Sequence, residues 1–264
     1  MPEMRAMREV HRMNNPLVSI VIPSHPTHTK QQELVVQNIE QQTYPNLEVI
    51  IETGGNNAQE ARNIAVNKAN GEYIAMLDDD DTWHPEKIEK QVRFMRDHDD
   101  CGICLTYVLD ERVESDCMDF TPAYHTSYGD LLRGFCIAPT SCFLIRRECF
   151  DKYGLFDESF RFAHEYELAI RFASNGMRIY CIPEYLTYYG INSEERLSDN
   201  YGDYIRGHFD LIGKWGGEMA RESIIFSLLK QTLTFPFFLL GMINVELAHK
   251  FFYRVKRFTT RGVI

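Results

Sequence analysis

The stretch Gly71-Glu72-Tyr73-Ile74-Ala75-Met76-Leu77-Asp78-Asp79-Asp80-Asp81-Thr82-Trp83-His84-Pro85 decides the fold. Its first half is an apolar, strand-like run, and its second is four consecutive carboxylates before a proline placed where the first turn of a helix accepts one. Four like charges at the end of a buried strand repel one another and need compensation. Oxygen ligands of this kind suit Mg2+ or Mn2+, which keep open positions for substrate phosphates when one or two carboxylates hold them. An acidic helix N-terminus accounts for Asp81 but not for four in a row.

Working upstream, a helix is expected from about Ala58 to Lys68. Before it comes a strand, Leu47 to Ile51, that ends at Glu52-Thr53-Gly54-Gly55. A further helix is expected from Thr29 to Gln42. It follows a β-branched strand from Leu17 to Ile22, which stops at Pro23 and opens into Ser24-His25-Pro26-Thr27-His28. Downstream, Pro85 to Asp97 reads as a third helix. Strands alternating with helices at this spacing predict right-handed βαβ units and a mostly parallel sheet flanked by helices, a Rossmann-like α/β class. Ligands of such sheets gather beyond the carboxyl ends of the strands, and the three polar loops all lie there.

Further along, Ile103 to Leu109 and Ser141 to Ile145 are expected strands, and Asp110 to Asp130 a long loop or an acceptor-side insertion. Arg147 to Tyr153 and Tyr166 to Ser174 are expected helices, followed by short strands Arg178 to Ile182 and Tyr185 to Tyr189 around Pro183. A helical extension begins near residue 196. It contains an apolar stretch, Phe235 to Val245, too short to span a bilayer, and a basic, acid-free tail from His249 to Ile264. That pairing fits an interfacial membrane anchor, and it equally fits a C-terminal helix packed on the core with a solvated end.

The chain has 264 residues, 44% of them apolar and 25% charged, which excludes collagen-like and wholly disordered classes. A formal charge of −10 argues against duplex nucleic acid as a partner. Seven scattered cysteines suit a reducing cytoplasmic setting, and the Cys101/Cys104 pair reads as structural rather than as a zinc or redox site. The first fifteen residues lack the apolar run of a signal peptide, so export is not indicated.

Taken together, Val18 to His25 (VSIVIPSH), Ala61 to Gln91 (ARNIAVNKANGEYIAMLDDDDTWHPEKIEKQ) and Ser141 to Gly176 resemble the inverting family 2 glycosyltransferases of GT-A fold. The resemblance covers roughly Val18 to Gly190. It implies a GT-A domain over 16–195, divided into a nucleotide-sugar half (16–110) and an acceptor half (111–195), with an extension over 196–264.

By position, Asp78 and Asp80 match the outer members of that family's DxD motif. This implies a place at the ribose and at a Mn2+ or Mg2+ ion on the diphosphate, with Asp79 and Asp81 assisting. Pro23 and Ser24 match residues framing the nucleotide, Glu52 the acidic residue that helps hold the base, and Arg62 the arginine near the nucleotide-sugar. His164-Glu165 falls where the family has Glu-Asp before a helix, so Glu165 takes the general-base position, with His164 as the alternative base. Glu167 is the alternative, structural carboxylate, an i,i+4 partner for Arg171.

The implied activity is transfer of a sugar from a nucleoside-diphosphate sugar, a UDP-sugar by family frequency, to a hydroxyl of a glycan or lipid-linked saccharide. Pro139-Thr140-Ser141 would line the acceptor cleft. A homo-oligomer and peripheral contact with the cytoplasmic membrane face stay open. Two rivals remain: a catalytically silent sugar-nucleotide-binding scaffold, and a sugar-phosphate nucleotidyltransferase. The latter would carry a glycine-rich basic loop that Pro23 to His28 does not provide. The short linker from Glu52 to Ala61 implies a trimmed base-recognition side.

Overall fold

The computed structural model describes residues 15–109, 122–134, 137–190 and 206–222. Its first half runs β1 (Val18–Pro23), α1 (Thr29–Ile39), β2 (Leu47–Glu52), α2 (Ala58–Lys68), β3 (Tyr73–Met76), β4 (Thr82–Trp83), α3 (Lys87–Asp97) and β5 (Cys101–Leu109). The second half adds β6 (His125–Thr126), α4 (Tyr128–Leu132), a 3-10 turn (Thr140–Cys142), β7 (Leu144–Arg146), α5 (Arg147–Tyr153), α6 (His164–Ser174) and β8 (Arg178–Tyr188). A last helix occupies 206–222.

The strands form one sheet in the order β2-β1-β3-β7-β5-β8-β4, with β6 on β8. β1 pairs in parallel with both β2 and β3, and β5 with β8, whereas β7 is antiparallel to both its neighbours. The sheet is therefore more mixed than βαβ spacing alone suggests. Because β2 lies on one side of β1 and β3 on the other, the chain reverses its winding at β1, and a crevice opens there at the carboxyl ends.

Two cores hold the layers together. Val18, Ile20 and Ile22 of β1 pack with Val35 and Ile39 of α1 and Ile88, Val92 and Met95 of α3. On the other face, Val21, Ile74 and Met76 meet Ala65 and Val66 of α2 and the buried side of α6. Each wholly buried aliphatic side chain contributes about 1.5–3 kcal/mol relative to exposure. The strict alternation along β1 lets a single strand seal both layers. Leu211 and Met219 carry helix 206–222 into the second core, so this part of the extension packs on the α/β body.

One glycine is sterically fixed. A Cβ on Gly71 would fall 2.5 Å from Ser19 Oγ and 2.6 Å from Ser19 N. Ser19 Oγ instead accepts the Gly71 N–H at 2.7 Å and donates to Glu48, which sets the entry into β3.

Several local expectations change. The two strands around Pro183 are one strand, β8, whose register against β5 slips between Thr106 and Tyr107, opposite Ile182 and Tyr185. The irregularity accommodates a residue with no N–H to give to a ladder. The expected strand from Ser141 begins as the 3-10 turn and enters the sheet only at Leu144. Within the expected loop Asp110 to Asp130, β6 forms and α4 starts with a Ser127–Asp130 capping box. Five cysteines, 101, 104, 142, 149 and 181, are buried free thiols. Among the described residues no helix is long and apolar enough to cross a membrane. The apolar stretch and basic tail after residue 222 lie outside the described residues.

Candidate active site

The rim at the carboxyl ends of β1, β2 and β3 gathers the polar loops. There the four aspartates receive four different environments. Asp78 Oδ1 accepts from Arg62 Nη2 at 2.5 Å, and its backbone N–H donates to Ser141 Oγ at 3.0 Å. Asp79 Oδ2 accepts from Ser24 Oγ and lies 3.0 Å from His28 Nδ1, stitching the turn after β3 to the loop after β1 across the crevice. Asp80 is half-buried on the same turn, which an Asp81 N–H to Asp78 C=O bond closes.

Asp81 is fully buried and takes hydrogen bonds from Ser141 Oγ and the Gly190 N–H, both at 2.5 Å. Burial, then repulsion from Asp80 and Asp78, pushes its carboxyl well above the usual carboxylate range. Compensation within the protein thus answers much of the repulsion that the bare sequence leaves to a cation. Among the described residues no group of three or more His, Cys, Asp or Glu is arranged as a metal cage. The half-buried Asp78 and Asp80 carboxylates nonetheless suit an ion that completes its shell with diphosphate oxygens and water.

Beneath the turn, Trp83 is locked by reciprocal bonds with Asn38: its N–H donates to Asn38 Oδ1 at 2.8 Å, and Asn38 Nδ2 donates to its carbonyl at 3.0 Å. Its indole Nε1 donates to the Ser141 carbonyl at 2.8 Å, which fixes the 3-10 turn under the aspartates.

Pro23 ends β1 in register with Glu52, and the Ser24 N–H donates to the Glu52 carbonyl at 2.9 Å. The Glu52 carboxylate takes Lys68 Nζ at 2.5 Å and the Gly54 N–H at 2.9 Å. The Lys68 contact lowers its pKa, against the opposing effect of burial. Glu52 therefore holds the short 53–55 turn at the mouth of the crevice.

α2 supplies the wall. Asn57 caps it by accepting the Glu60 N–H at 2.9 Å. Gln59, Arg62 and Asn63, at i, i+3 and i+4, form a buried polar stripe aimed at the chain before α6. Asn63 Nδ2 donates to the Phe156 carbonyl at 2.9 Å and to Glu158 at 2.8 Å, and Asn63 Oδ1 accepts the Phe156 N–H at 3.0 Å.

Arg62 Nη1 reaches His164 Nε2 at 3.1 Å, and Gln59 Nε2 sits 2.8 Å from His164 Nδ1. Burial, then the Arg62 charge, holds the His164 pKa down at about 3, so the ring is neutral at physiological pH. Glu165 Oε2 lies 3.3 Å from His164 Nδ1, and Thr140 Oγ1 is 3.4 Å from Nε2.

α6 begins at His164, earlier than expected, so both residues stand in its first turn. They follow Ala163, whose φ of 58° is the positive value of a non-glycine residue. Glu167, fully buried, pairs with Arg171 at 2.9 Å and with Lys214 of helix 206–222 at 2.9 Å.

Arg62, Asp78, His164 and Glu165 thus form one chain of contacts, and Ser24, Glu52 and Asp79 a second along the same rim. Gln59 and Asn63 are members that sequence reasoning passed over, and His28, which reads in the sequence as a loop histidine, sits 3.0 Å from Asp79. The spacing of the α2 stripe was the available signal, beside the apolar Ala61, Ala65 and Val66 of the same helix.

A mixed α/β sheet with a reversal of winding at β1 and an acidic turn over the crevice defines a GT-A fold. The family model for glycosyl transferase family 2 matches residues 19–154, just over half of the chain, and the chain belongs to that family.

Among curated relatives, an uncharacterized glycosyltransferase of Rickettsia typhi is 27% identical over 198 residues, 60% of this chain and 59% of its own length. One of Methanocaldococcus jannaschii is 25% identical over 240 residues, 78% of this chain and 82% of its own. The chain therefore spans under two thirds of the Rickettsia relative. Of solved structures, S. aureus TarS 1-349 in complex with UDP-GlcNAc superposes with TM-score 0.56 at 17% identity, covering 74% of this chain and 66% of that one. The mannosyltransferase PcManGT of Pyrobaculum calidifontis, in complex with GDP-Man and Mn2+, gives 0.54 at 15%, covering 92% and 84%.

Proposed function

We propose that the chain is an inverting glycosyltransferase that moves a sugar from a nucleoside-diphosphate sugar to a hydroxyl of a glycan or lipid-linked saccharide. The observation that carries this reading is Arg62, which spans from Asp78 of the acidic turn to His164 beside Glu165 and so joins a diphosphate-binding rim to a carboxylate.

Ser24, Glu52 and Asp79 frame the nucleotide, with Pro23 ending the strand beneath it, and Asp78 takes the ribose. A Mn2+ or Mg2+ ion held by Asp80 and Asp78 would supply charge neutralisation at the diphosphate. Arg62 faces the same group with a fixed guanidinium, which stabilises the negative charge that the leaving diphosphate acquires. Glu165 accepts the proton of the acceptor hydroxyl as its oxygen bonds to the anomeric carbon. The bond from that carbon to the diphosphate oxygen breaks on the opposite side, and its electron pair leaves with the nucleotide. With a pKa near 3 and Nε2 already facing Arg62, His164 is the weaker candidate base.

UDP-sugars are the first donors to test and GDP-sugars the second, since the TarS and PcManGT structures hold one of each. Calorimetric titration of UDP, GDP, CMP and dTDP, each with Mn2+ and with chelator, tests the reading beside Asp80→Ala. Metal-dependent binding of one nucleotide, lost in the variant, is expected. No binding to any of them by folded protein would favour the silent scaffold.

A further inference from the structure

Between α5 and α6 the chain runs through residues 154–163 with neither helix nor strand, so its path to Glu165 is set by the side chains that hold it. The Arg171 guanidinium donates to the Tyr153, Gly154 and Leu155 carbonyls at 2.5, 2.8 and 2.7 Å, and Asn63 fastens Phe156 to α2. Beyond Phe156 the fastening passes to helix 206–222. Lys214 Nζ lies 2.6 Å from Asp157 Oδ2, 2.9 Å from Glu167 Oε1 and 5.5 Å from the centre of the buried Phe160 ring. Asp157 Oδ1 accepts the Ser159 hydroxyl at 2.6 Å and the Ser159 N–H at 3.1 Å, which folds the start of the segment around the same side chain. At Gly207 the helix comes so close that a Cβ would fall 2.7 Å from Phe162 Cβ.

We infer that Lys214 is a positioning residue: its ammonium ties Asp157 to Glu167, one on each side of Glu165, and so sets the course of the chain into the first turn of α6. Glu167 is fully buried and already held by Arg171 at 2.9 Å, which makes it a fixed point, and Lys214 carries that point across to Asp157. Arg171 and Lys214 together balance the charge of the two carboxylates. The bridge also spans Ala163, whose φ of 58° costs free energy in a residue with a Cβ and persists only where the surroundings enforce it. Helix 206–222, outside the stretch that the family model matches, thereby becomes part of the proposed active site. The effect on turnover rests on the reading of Glu165 as the base, whereas the hold on the backbone does not.

The bridge can be cut from either end. Lys214→Met keeps an apolar stem over Phe160 and removes the ammonium. In Asp157→Asn the amide oxygen still serves Ser159, and the amide nitrogen, a donor, is left facing Lys214. Lys214→Arg retains a cation with donors enough for both carboxylates.

The test uses the full chain and follows backbone hydrogen exchange by mass spectrometry, beside hydrolysis of UDP-GlcNAc or GDP-mannose and calorimetry with UDP or GDP, all with Mn2+. In Lys214→Met the 157–166 amides are expected to exchange about tenfold faster, the scale of one lost hydrogen bond to a charged group, with β1 and α2 unchanged. Hydrolysis is expected to fall by about the same factor and nucleotide affinity by less, because Asn63 still fastens Phe156 to α2. Asp157→Asn is expected to reproduce both effects, and Lys214→Arg to restore exchange and hydrolysis toward the wild type. Unchanged exchange of the 157–166 amides in both cutting variants overturns the proposal. So does a rise spread evenly over the chain, or equal losses of hydrolysis and nucleotide affinity, either of which would mark a merely structural ion pair. Wild-type hydrolysis in Glu165→Gln would instead remove the base reading, and the exchange pattern would still judge the hold of Lys214 on the segment.

Discussion

Asn63 and Phe156, 93 residues apart, exchange two hydrogen bonds: the amide of one donates to the carbonyl of the other at 2.9 Å and accepts its N–H at 3.0 Å. This pair fastens the chain before α6 to α2, the helix that carries Arg62. Asn63→Ala leaves both Phe156 backbone groups buried without these partners, at a cost of about 1–3 kcal/mol for each group. A lowered thermal midpoint is expected, together with weaker nucleotide binding as the 156–164 segment loosens. An unchanged midpoint would show that this fastening contributes nothing to stability.

Glu165→Gln keeps the shape of the side chain and removes its ability to take a proton. Nucleotide affinity is expected to stay at the wild-type value, while donor turnover falls by roughly 10²–10⁴-fold. Calorimetry and a turnover assay on the same preparation check it. Weakened binding in proportion to turnover would point to a donor-site role instead.

Lys87 is fully buried, its Nζ 2.8 Å from Gln91 Oε1 and 4.1 Å from the centre of the Trp83 ring. Burial pushes its pKa down to about 7. The unfolded chain, with an ordinary lysine pKa, binds the proton more tightly, so below about pH 7 the cost of the buried charge is fully present. That cost declines as pH rises through the folded pKa toward the unfolded one, by up to about 1.4 kcal/mol per pH unit. Lys87→Met is therefore expected to exceed the wild type in stability most at pH 6, with the gap narrowing toward pH 10. Urea melts of both proteins across that range decide it, and a gap independent of pH would show that Lys87 titrates normally.

Removing the residues after Ser227 deletes both the apolar stretch Phe235 to Val245 and the basic tail. The shortened protein is expected to move from the membrane pellet to the supernatant, and the wild type to bind vesicles containing anionic lipid more strongly than neutral ones. A full-length chain already in the supernatant would leave this segment no anchoring role.

What could be read along the chain was whatever depends on neighbours in sequence. The β-branched run of β1, the helical spacing of α1 to α3 and the proline before α3 set local geometry within a few residues, and three polar loops following strands placed the rim. The second half was less legible because its elements are short and its pairings distant. β7 is three residues long and enters the sheet antiparallel between β3 and β5, and β8 absorbs Pro183 in a register slip that only its pairing with β5 reveals.

The site divides in the same way. The sequence by itself determined that carboxylates, an arginine and a histidine–glutamate pair would be present, and that the aspartates would stand at a strand end. Only the tertiary structure decided what each was doing: that Asp81 is sealed under Ser141 and Gly190, that Asp79 is spent on Ser24 and His28, and that Arg62 touches both Asp78 and His164. The physical reason is that a side chain's charge state and aim are set by burial and by partners 16 to 109 residues away, which local spacing does not encode.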